Sequence, residues 1–152
     1  MEMNEYYYRF SSMELLQFTA TEEHINWKGL NANNQIRFQF VPDSNGLLCD
    51  FSFSLKEDAD QKLVLKVEVQ SRFEIREDSL LQITSNNEMI FPIQMLVHFA
   101  SLTYSSMRGM VLAKAENTNL RGFILPIQNF QVQRTKPYVY KQLMRKTTSG
   151  KN

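Results

Sequence analysis

The sequence predicts an α+β fold in which a four-stranded antiparallel meander sheet is covered by one long helix. Apolar and polar residues alternate between residues 6 and 76, and short polar connectors interrupt this alternation. Residues 91–109, FPIQMLVHFASLTYSSMRG, then contain one histidine and one arginine as their only side chains that can carry charge near neutral pH. Alternation of period two is typical of strands with one face on a core, and short connectors join antiparallel neighbours. These observations together predict a sheet followed by a helix.

The four strands are predicted from their apolar faces. The first lies within residues 6–27 and has an irregular pattern, whereas the second has Ile36, Phe38 and Phe40 on one face and stops at Pro42. The third and fourth alternate regularly over residues 47–55 and 63–75. Because the intervening connectors are short, we expect consecutive strands to pair in chain order. One face of this sheet is apolar and needs a cover.

The long helix is predicted to begin at Pro92 and to end near Arg108 and Gly109. Proline suits the first turn of a helix, and glycine suits its C-terminal cap. Polar residues interrupt the apolar run, so a transmembrane helix is not predicted. The residues that we expect to lie on the sheet recur at helical spacing: Ile93, Leu96, Val97, Ala100, Tyr104 and Met107.

The opposite face of this helix is expected to carry Met95, Phe99 and Leu102, which are also apolar. A surface helix in a monomer normally has a charged outer face, and this helix has none. A second copy of the chain is the simplest cover, since a helix can pack on its symmetry mate through one self-complementary patch. We therefore predict an oligomer interface at these three residues.

The C-terminal part of the chain differs from the rest in charge. Residues 1–116 carry 10 basic and 16 acidic residues, whereas residues 117–152 carry 7 basic residues and no acidic one. The stretch PYVYKQLMRK is predicted to begin a short C-terminal helix at Pro137. We expect a single domain over residues 1–146 and a flexible basic tail over residues 147–152.

The sequence carries no recognisable catalytic or cofactor motif. Glycine-rich phosphate-binding patterns are missing, and neither His24 nor His98 has a second ligand at metal-binding spacing. Cys49 alternates with phenylalanines on an inward strand face, so a buried thiol is favoured over a nucleophile. One cysteine excludes an intrachain disulfide, and the first residues do not resemble a secretory signal. We therefore predict a cytoplasmic protein that is not an enzyme and uses no cofactor or metal.

The order of these elements resembles SecB, the bacterial protein-export chaperone. The resemblance covers residues 6–146 and depends on three motifs: Phe91-Pro92, Ser106-Met107-Arg108-Gly109 and Leu125-Pro126-Ile127-Gln128-Asn129-Phe130. It implies a chaperone of the holdase type, which binds unfolded or precursor polypeptides in an apolar groove without nucleotide. It also implies a homotetramer built as a dimer of dimers, with the long helices at its centre.

The resemblance further implies which residues and partners are involved. The client would be an export precursor, handed to a translocase motor, or a dedicated client such as an antitoxin. For Trp27 and Tyr140 the residues alone are consistent with either a groove or a core. Carried over by position, the residues that line the client groove are Trp27, Ile36, Phe38, Phe40, Phe130, Tyr140, Leu143 and Met144.

Two other functions fit the same elements. The basic C-terminal segment, in which Tyr138 and Tyr140 stand among basic residues, has the composition of a nucleic-acid-binding surface. Nucleic acid is disfavoured, because the outer sheet face mixes acidic and basic residues. A small-ligand-binding protein with a closed apolar pocket is the other alternative. The sequence does not distinguish an open groove from a closed pocket.

Overall fold

The main sheet is antiparallel and has four strands, as the sequence predicts. The computed structural model describes residues 5–126, 128, 130 and 136–142. The α+β fold class is confirmed, because one long helix covers the apolar face of this sheet. The strands are β1 (Tyr8–Ala20), β2 (Leu30–Val41), β3 (Gly46–Glu57) and β4 (Leu63–Ile75).

The order of the strands across the sheet is β1-β4-β3-β2, so only β2, β3 and β4 form a meander. We expected β1 beside β2, but β1 pairs with β4, from Tyr8 opposite Ile75 to Ala20 opposite Leu65. The connectors after β2 and β3 are too short for anything but a hairpin, whereas residues 21–29 are long enough to cross the sheet. They span three strand spacings, or about 14 Å. The two edge strands are therefore β1 and β2.

Both hairpins contain the polar turns expected from the sequence. A 3-10 turn at Pro42–Ser44 is followed by Asn45 at φ 52°, in the left-handed region that asparagine tolerates. The connector between β3 and β4 contains Gln61 at φ 58°. Because β2 pairs with β3 without a register shift, its even-numbered side chains all point to the covered face of the sheet.

A second, smaller sheet has the order β5-β6-β7 and follows a short helix, α1 (Glu77–Gln82). Residues 138–141 form its third strand, so the helix that we predicted from Pro137 is wrong at these residues. Residues 143–152, which include the predicted basic tail, lie outside the described residues. The alternation of Tyr138 and Tyr140 with Val139 explains the strand, because aromatic and β-branched residues favour this conformation. The strands are β5 (Thr84–Ser85), β6 (Glu88–Phe91) and β7 (Tyr138–Lys141).

The long helix, α2 (Ile93–Lys114), continues for more than a turn beyond its predicted end. Pro92 precedes it in an extended conformation, as expected for a proline at a helix start. Gly109 lies within the helix and does not cap it. Glycine costs about 1 kcal/mol in a helix interior. This cost is offset because Val111 and Ala115, beyond the glycine, are fully buried.

The face of α2 that lies on the sheet is wider than the predicted stripe. Met95 and Phe99, which we expected to point away from the sheet, are 6% and 0% exposed in the single chain. The Phe99 ring stacks on Phe73 of β4 with ring centres 4.1 Å apart. A four-stranded sheet is broader than one helix, so its apolar face covers side chains on both sides of the central stripe. Only Leu102 of the three predicted interface residues is half-buried.

Candidate functional site

An open cavity of about 610 Å³ lies between the edge strand β2 and α2. Strand β2 contributes four inward side chains and Asn33, and α2 contributes Leu96, Val97 and Ala100. No charged residue lines the cavity among the described residues. The remaining lining residues are Ala32, Asn33, Asn34, Ile36, Phe38, Gln128 and Phe130. We call this cavity the β2–α2 groove.

The described residues of the segment after α2 lie along one side of the groove and are attached to the core. Phe130 is almost fully buried and meets the ring of Phe51 edge-on, with ring centres 5.6 Å apart. Tyr104 donates a hydrogen bond from its hydroxyl to the carbonyl oxygen of Pro126. Burial raises the pKa of Tyr104 above its ordinary value. Arg108 Nε also donates to the carbonyl oxygen of Leu125, at 2.9 Å.

Two carboxamides are the polar side chains that face each other in the groove. Asn34 Nδ2 donates a hydrogen bond to Gln128 Oε1, which links the edge strand to the segment after α2. The sequence analysis did not identify either residue as part of a site. The pattern of β2 contains the signal for Asn34, because counting back by two from Ile36 reaches Asn34 and then Ala32.

Trp27 lies outside this groove, on the segment that crosses from β1 to β2. Its indole is 51% exposed and packs on Phe123, with ring centres 5.8 Å apart. Ile25, two residues earlier, is buried in the core and anchors the segment. Asn119 Nδ2 donates to the carbonyl oxygen of Glu23 at 3.0 Å. Trp27 therefore belongs to a separate surface with a cavity of about 400 Å³.

Phe40 and Tyr140 form part of a closed aromatic cluster with Phe91 and Tyr138. Phe40 is 4% exposed, and its ring lies 5.0 Å from that of Tyr140 and 5.4 Å from that of Phe91. The Tyr138 hydroxyl accepts a hydrogen bond from the Phe40 backbone N–H at 3.2 Å. Neither ring lines the β2–α2 groove. The tyrosines are half-buried among other rings, which leaves little free ring face for stacking on nucleic-acid bases.

The predicted groove residues are thus divided among three places. Ile36, Phe38 and Phe130 meet in the β2–α2 groove, Trp27 lies on the crossover segment, and Phe40 with Tyr140 belongs to the closed cluster. Leu143 and Met144 lie outside the described residues. A role for any of these residues in client binding remains a prediction.

The outward face of α2 carries no carboxylate, lysine or arginine before its last residue, Lys114. Its exposed side chains are small or uncharged, apart from the imidazole of His98, which is hydrogen-bonded to the Tyr8 hydroxyl. Leu112 is 40% exposed on this face. The exposed residues are Gln94, His98, Ser105, Ser106, Gly109, Leu112 and Ala113. This surface carries less charge than that of an ordinary solvent-facing helix.

The described residues include no group of three or more His, Cys, Asp or Glu side chains that could hold a metal ion. Cys49 is buried in the sheet. In the same part of the chain, no helix has both the length and the apolar character needed to span a membrane.

Similarity to known proteins is found among solved structures. No protein family model and no curated protein sequence matches this chain. Among solved structures, the chain is similar to the SecB-like chaperone Rv1957 of Mycobacterium tuberculosis, solved in complex with a ChAD peptide from the antitoxin HigA1. The match has a TM-score of 0.55 at 12% sequence identity and covers 80% of this chain and 87% of the other. The chain therefore has a SecB-like fold.

Proposed function

We propose that this protein is a chaperone that holds unfolded polypeptide in the β2–α2 groove. The observation that carries this proposal is an open, uncharged groove beside an edge strand, in a chain with a SecB-like fold. Burial of apolar surface contributes about 25 cal/mol per Å², so each 100 Å² of client surface contributes about 2.5 kcal/mol before ordering costs. Binding of this kind needs no nucleotide and no particular client sequence. The proposed site of action is the cytoplasm.

The clients that we propose are polypeptide segments that have not folded. The structural neighbour was solved with a peptide from an antitoxin, which supports a peptide as occupant. An export precursor and a dedicated client such as an antitoxin both have this chemistry. Titration calorimetry with a purified translocase motor and with an antitoxin peptide separates the two roles, because only an export chaperone needs to bind the motor.

We further propose that the chain assembles as a homotetramer, a dimer of dimers, through the outward face of α2. The absence of charge on its exposed positions before Lys114 supports this contact. Met95 and Phe99 are used within the single chain, so the contact that we propose involves Leu102, Ser105 and Leu112 instead.

Charge on this face should disrupt the assembly. We expect Ser105→Glu to dissociate the tetramer, because a carboxylate buried at an interface loses its hydration without gaining a partner. Ser85→Glu introduces the same side chain at another exposed serine and is the matched control. Light scattering measures the mass of each variant. A wild-type monomer at micromolar concentration, or a Ser105→Glu tetramer, would contradict the proposed interface.

The chaperone function is tested by suppression of aggregation. Insulin, whose B chain aggregates after reduction with dithiothreitol, is mixed with wild type, Ala32→Glu or Asn31→Glu, and turbidity is followed. Ala32 lies in the groove and is exposed, whereas its neighbour Asn31 points to the opposite face of β2. We expect wild type and Asn31→Glu to suppress aggregation and Ala32→Glu to fail. Wild type that leaves turbidity unchanged, or equal suppression by both variants, would exclude the groove as a holdase site.

A further inference from the structure

His98 lies on the outward face of α2, where the exposed positions before Lys114 carry no other titratable side chain. Leu102, Ser105 and Leu112 follow it along the helix at steps of four, three and seven residues. Residues at these spacings lie on the same face of a helix. His98 is therefore in line with the side chains through which we propose that the chains assemble. A histidine is the side chain whose charge changes near neutral pH.

His98 has no charged partner among the described residues. Its Nε2 is hydrogen-bonded to the Tyr8 hydroxyl of β1, and the centres of the two rings lie 5.5 Å apart. A tyrosine with its ordinary pKa near 10 is already neutral below pH 8, and burial raises the pKa of Tyr8 further. Arg9, next to Tyr8 in β1, points to the opposite face of the sheet and pairs with Glu74. Along α2 the nearest charged side chain is Arg108, about 15 Å away at 1.5 Å per residue.

The hydrogen bond between Tyr8 and His98 can be made in both protonation states of the imidazole. In the neutral ring one nitrogen accepts, so Nε2 can receive the proton of the Tyr8 hydroxyl. In the protonated ring both nitrogens donate, and the hydroxyl oxygen can accept instead. Protonation therefore adds a positive charge to the outward face of α2 while the contact between α2 and β1 is kept. We expect the fold of the single chain to tolerate this change.

We propose that protonation of His98 dissociates the assembly, so that the outward face of α2 is a pH-sensitive contact. This inference rests on the proposed homotetramer and adds its regulation. An imidazolium is hydrated on a separate chain, whereas at an uncharged contact between helices it loses water and gains no carboxylate. The separated chains therefore bind more protons than the assembly. It follows that the assembly is most stable above the ordinary histidine pKa of about 6.5 and weakens as the pH falls below it.

The test uses the fact that the chain contains only two histidines. His98→Gln keeps a side chain that can bond to the Tyr8 hydroxyl but cannot titrate. His24→Gln is the matched control, because His24 is exposed on the segment that crosses from β1 to β2. Sedimentation equilibrium at pH 8.0 and 5.5, at equal ionic strength, measures the dissociation constant of each protein. Circular dichroism at both pH values checks that the separated chains stay folded.

We expect the dissociation constant of wild type to rise by about a hundredfold between pH 8.0 and 5.5. A contact with twofold symmetry contains two copies of His98, and each contributes about tenfold at one unit below a pKa of 6.5 if it is neutral in the assembly. His24→Gln should show the same rise, whereas His98→Gln should stay assembled at both pH values. His98→Lys places a permanent charge at this position and should be dissociated even at pH 8.0.

Three results would overturn the inference. If wild type has the same dissociation constant at both pH values, or if His98→Gln dissociates in acid as wild type does, protonation of His98 is not the cause, although the homotetramer at pH 8.0 still stands. If His98→Lys assembles like wild type at pH 8.0, this position tolerates charge, and the inference is wrong even where His98→Gln fails to fold. If wild type is monomeric at pH 8.0, the proposed homotetramer fails first and the inference fails with it.

Discussion

Trp27 and Phe40 stand near opposite ends of β2, and the resemblance assigned both to one client groove. The structure separates them: Trp27 is 51% exposed against a single ring, whereas Phe40 is 4% exposed inside a closed aromatic cluster. The difference arises from what covers each end of the strand. Strand β7 lies over Phe40, whereas among the described residues Phe123 is the one ring in contact with the indole of Trp27. Two aromatic residues that the resemblance assigned to one groove therefore serve packing at one end of β2 and surface exposure at the other.

The largest expected effect is on stability at the closed end. Phe40→Ala should lower the free energy of unfolding by about 3 to 5 kcal/mol, because a fully packed ring leaves a cavity. Urea denaturation followed by circular dichroism measures the loss. Client binding, assayed well below the unfolding transition, should stay close to that of wild type. A stability loss under about 1 kcal/mol, together with weak client binding, would mean that Phe40 binds the client and does not pack in the core.

A smaller effect is expected from the hydroxyl that ties β7 to β2. Tyr138→Phe removes the acceptor of the Phe40 N–H and should cost about 0.5 to 1.5 kcal/mol. The matched control is Tyr7→Phe, whose hydroxyl bonds Glu5 at the exposed surface, and it should leave the unfolding midpoint unchanged. The two midpoints are compared in the same urea series. Equal urea midpoints for Tyr138→Phe and Tyr7→Phe would mean that the hydrogen bond to the Tyr138 hydroxyl does not stabilise the closed end of β2.

The smallest effect on stability is expected at the exposed end. Trp27→Ala should cost less than about 1 kcal/mol, since the indole contacts one aromatic ring among the described residues. We expect binding of an unfolded protein to weaken about tenfold or more, because a client longer than the β2–α2 groove can also contact this exposed indole. Leu16→Ala is the control, because Leu16 is equally exposed on the opposite edge strand. Fluorescence anisotropy with labelled, reduced α-lactalbumin measures binding. Unfolding without a selective loss of binding would place Trp27 in the core.

The sequence predicted the strands correctly where apolar and polar residues alternate regularly and the apolar ones are buried. The regular alternation of β3 and β4 and the polar turns at residues 43–46 and 57–60 predicted the hairpins correctly, because local turn chemistry determines them. Pairing of β1 with β4 was not predictable from local pattern, since the length of the crossover allows more than one neighbour. The strands β5 and β6 are too short to give a periodic signal, and no prediction was made for them.

The candidate site was predicted in part for similar reasons. Ile36, Phe38 and Phe130 were found through the resemblance, and the structure brings them together. Asn34 and Gln128 were missed because an amide in an apolar groove has no pattern of its own. Met95 and Phe99 were assigned to the wrong face, since the helical stripe alone does not reveal how wide the covering sheet is.

The pairing of β1 with β4 also has a consequence for folding kinetics. The paired residues are separated by 67 positions at one end, Tyr8 to Ile75, and by 45 at the other, Ala20 to Leu65. Contacts of such long range slow folding, because chain entropy is lost before the contacts form. During synthesis β1 emerges first and has no partner until β4 has left the ribosome. The hairpins β2–β3 and β3–β4 can form in the meantime, so we expect β1 to be the last strand of the sheet to dock.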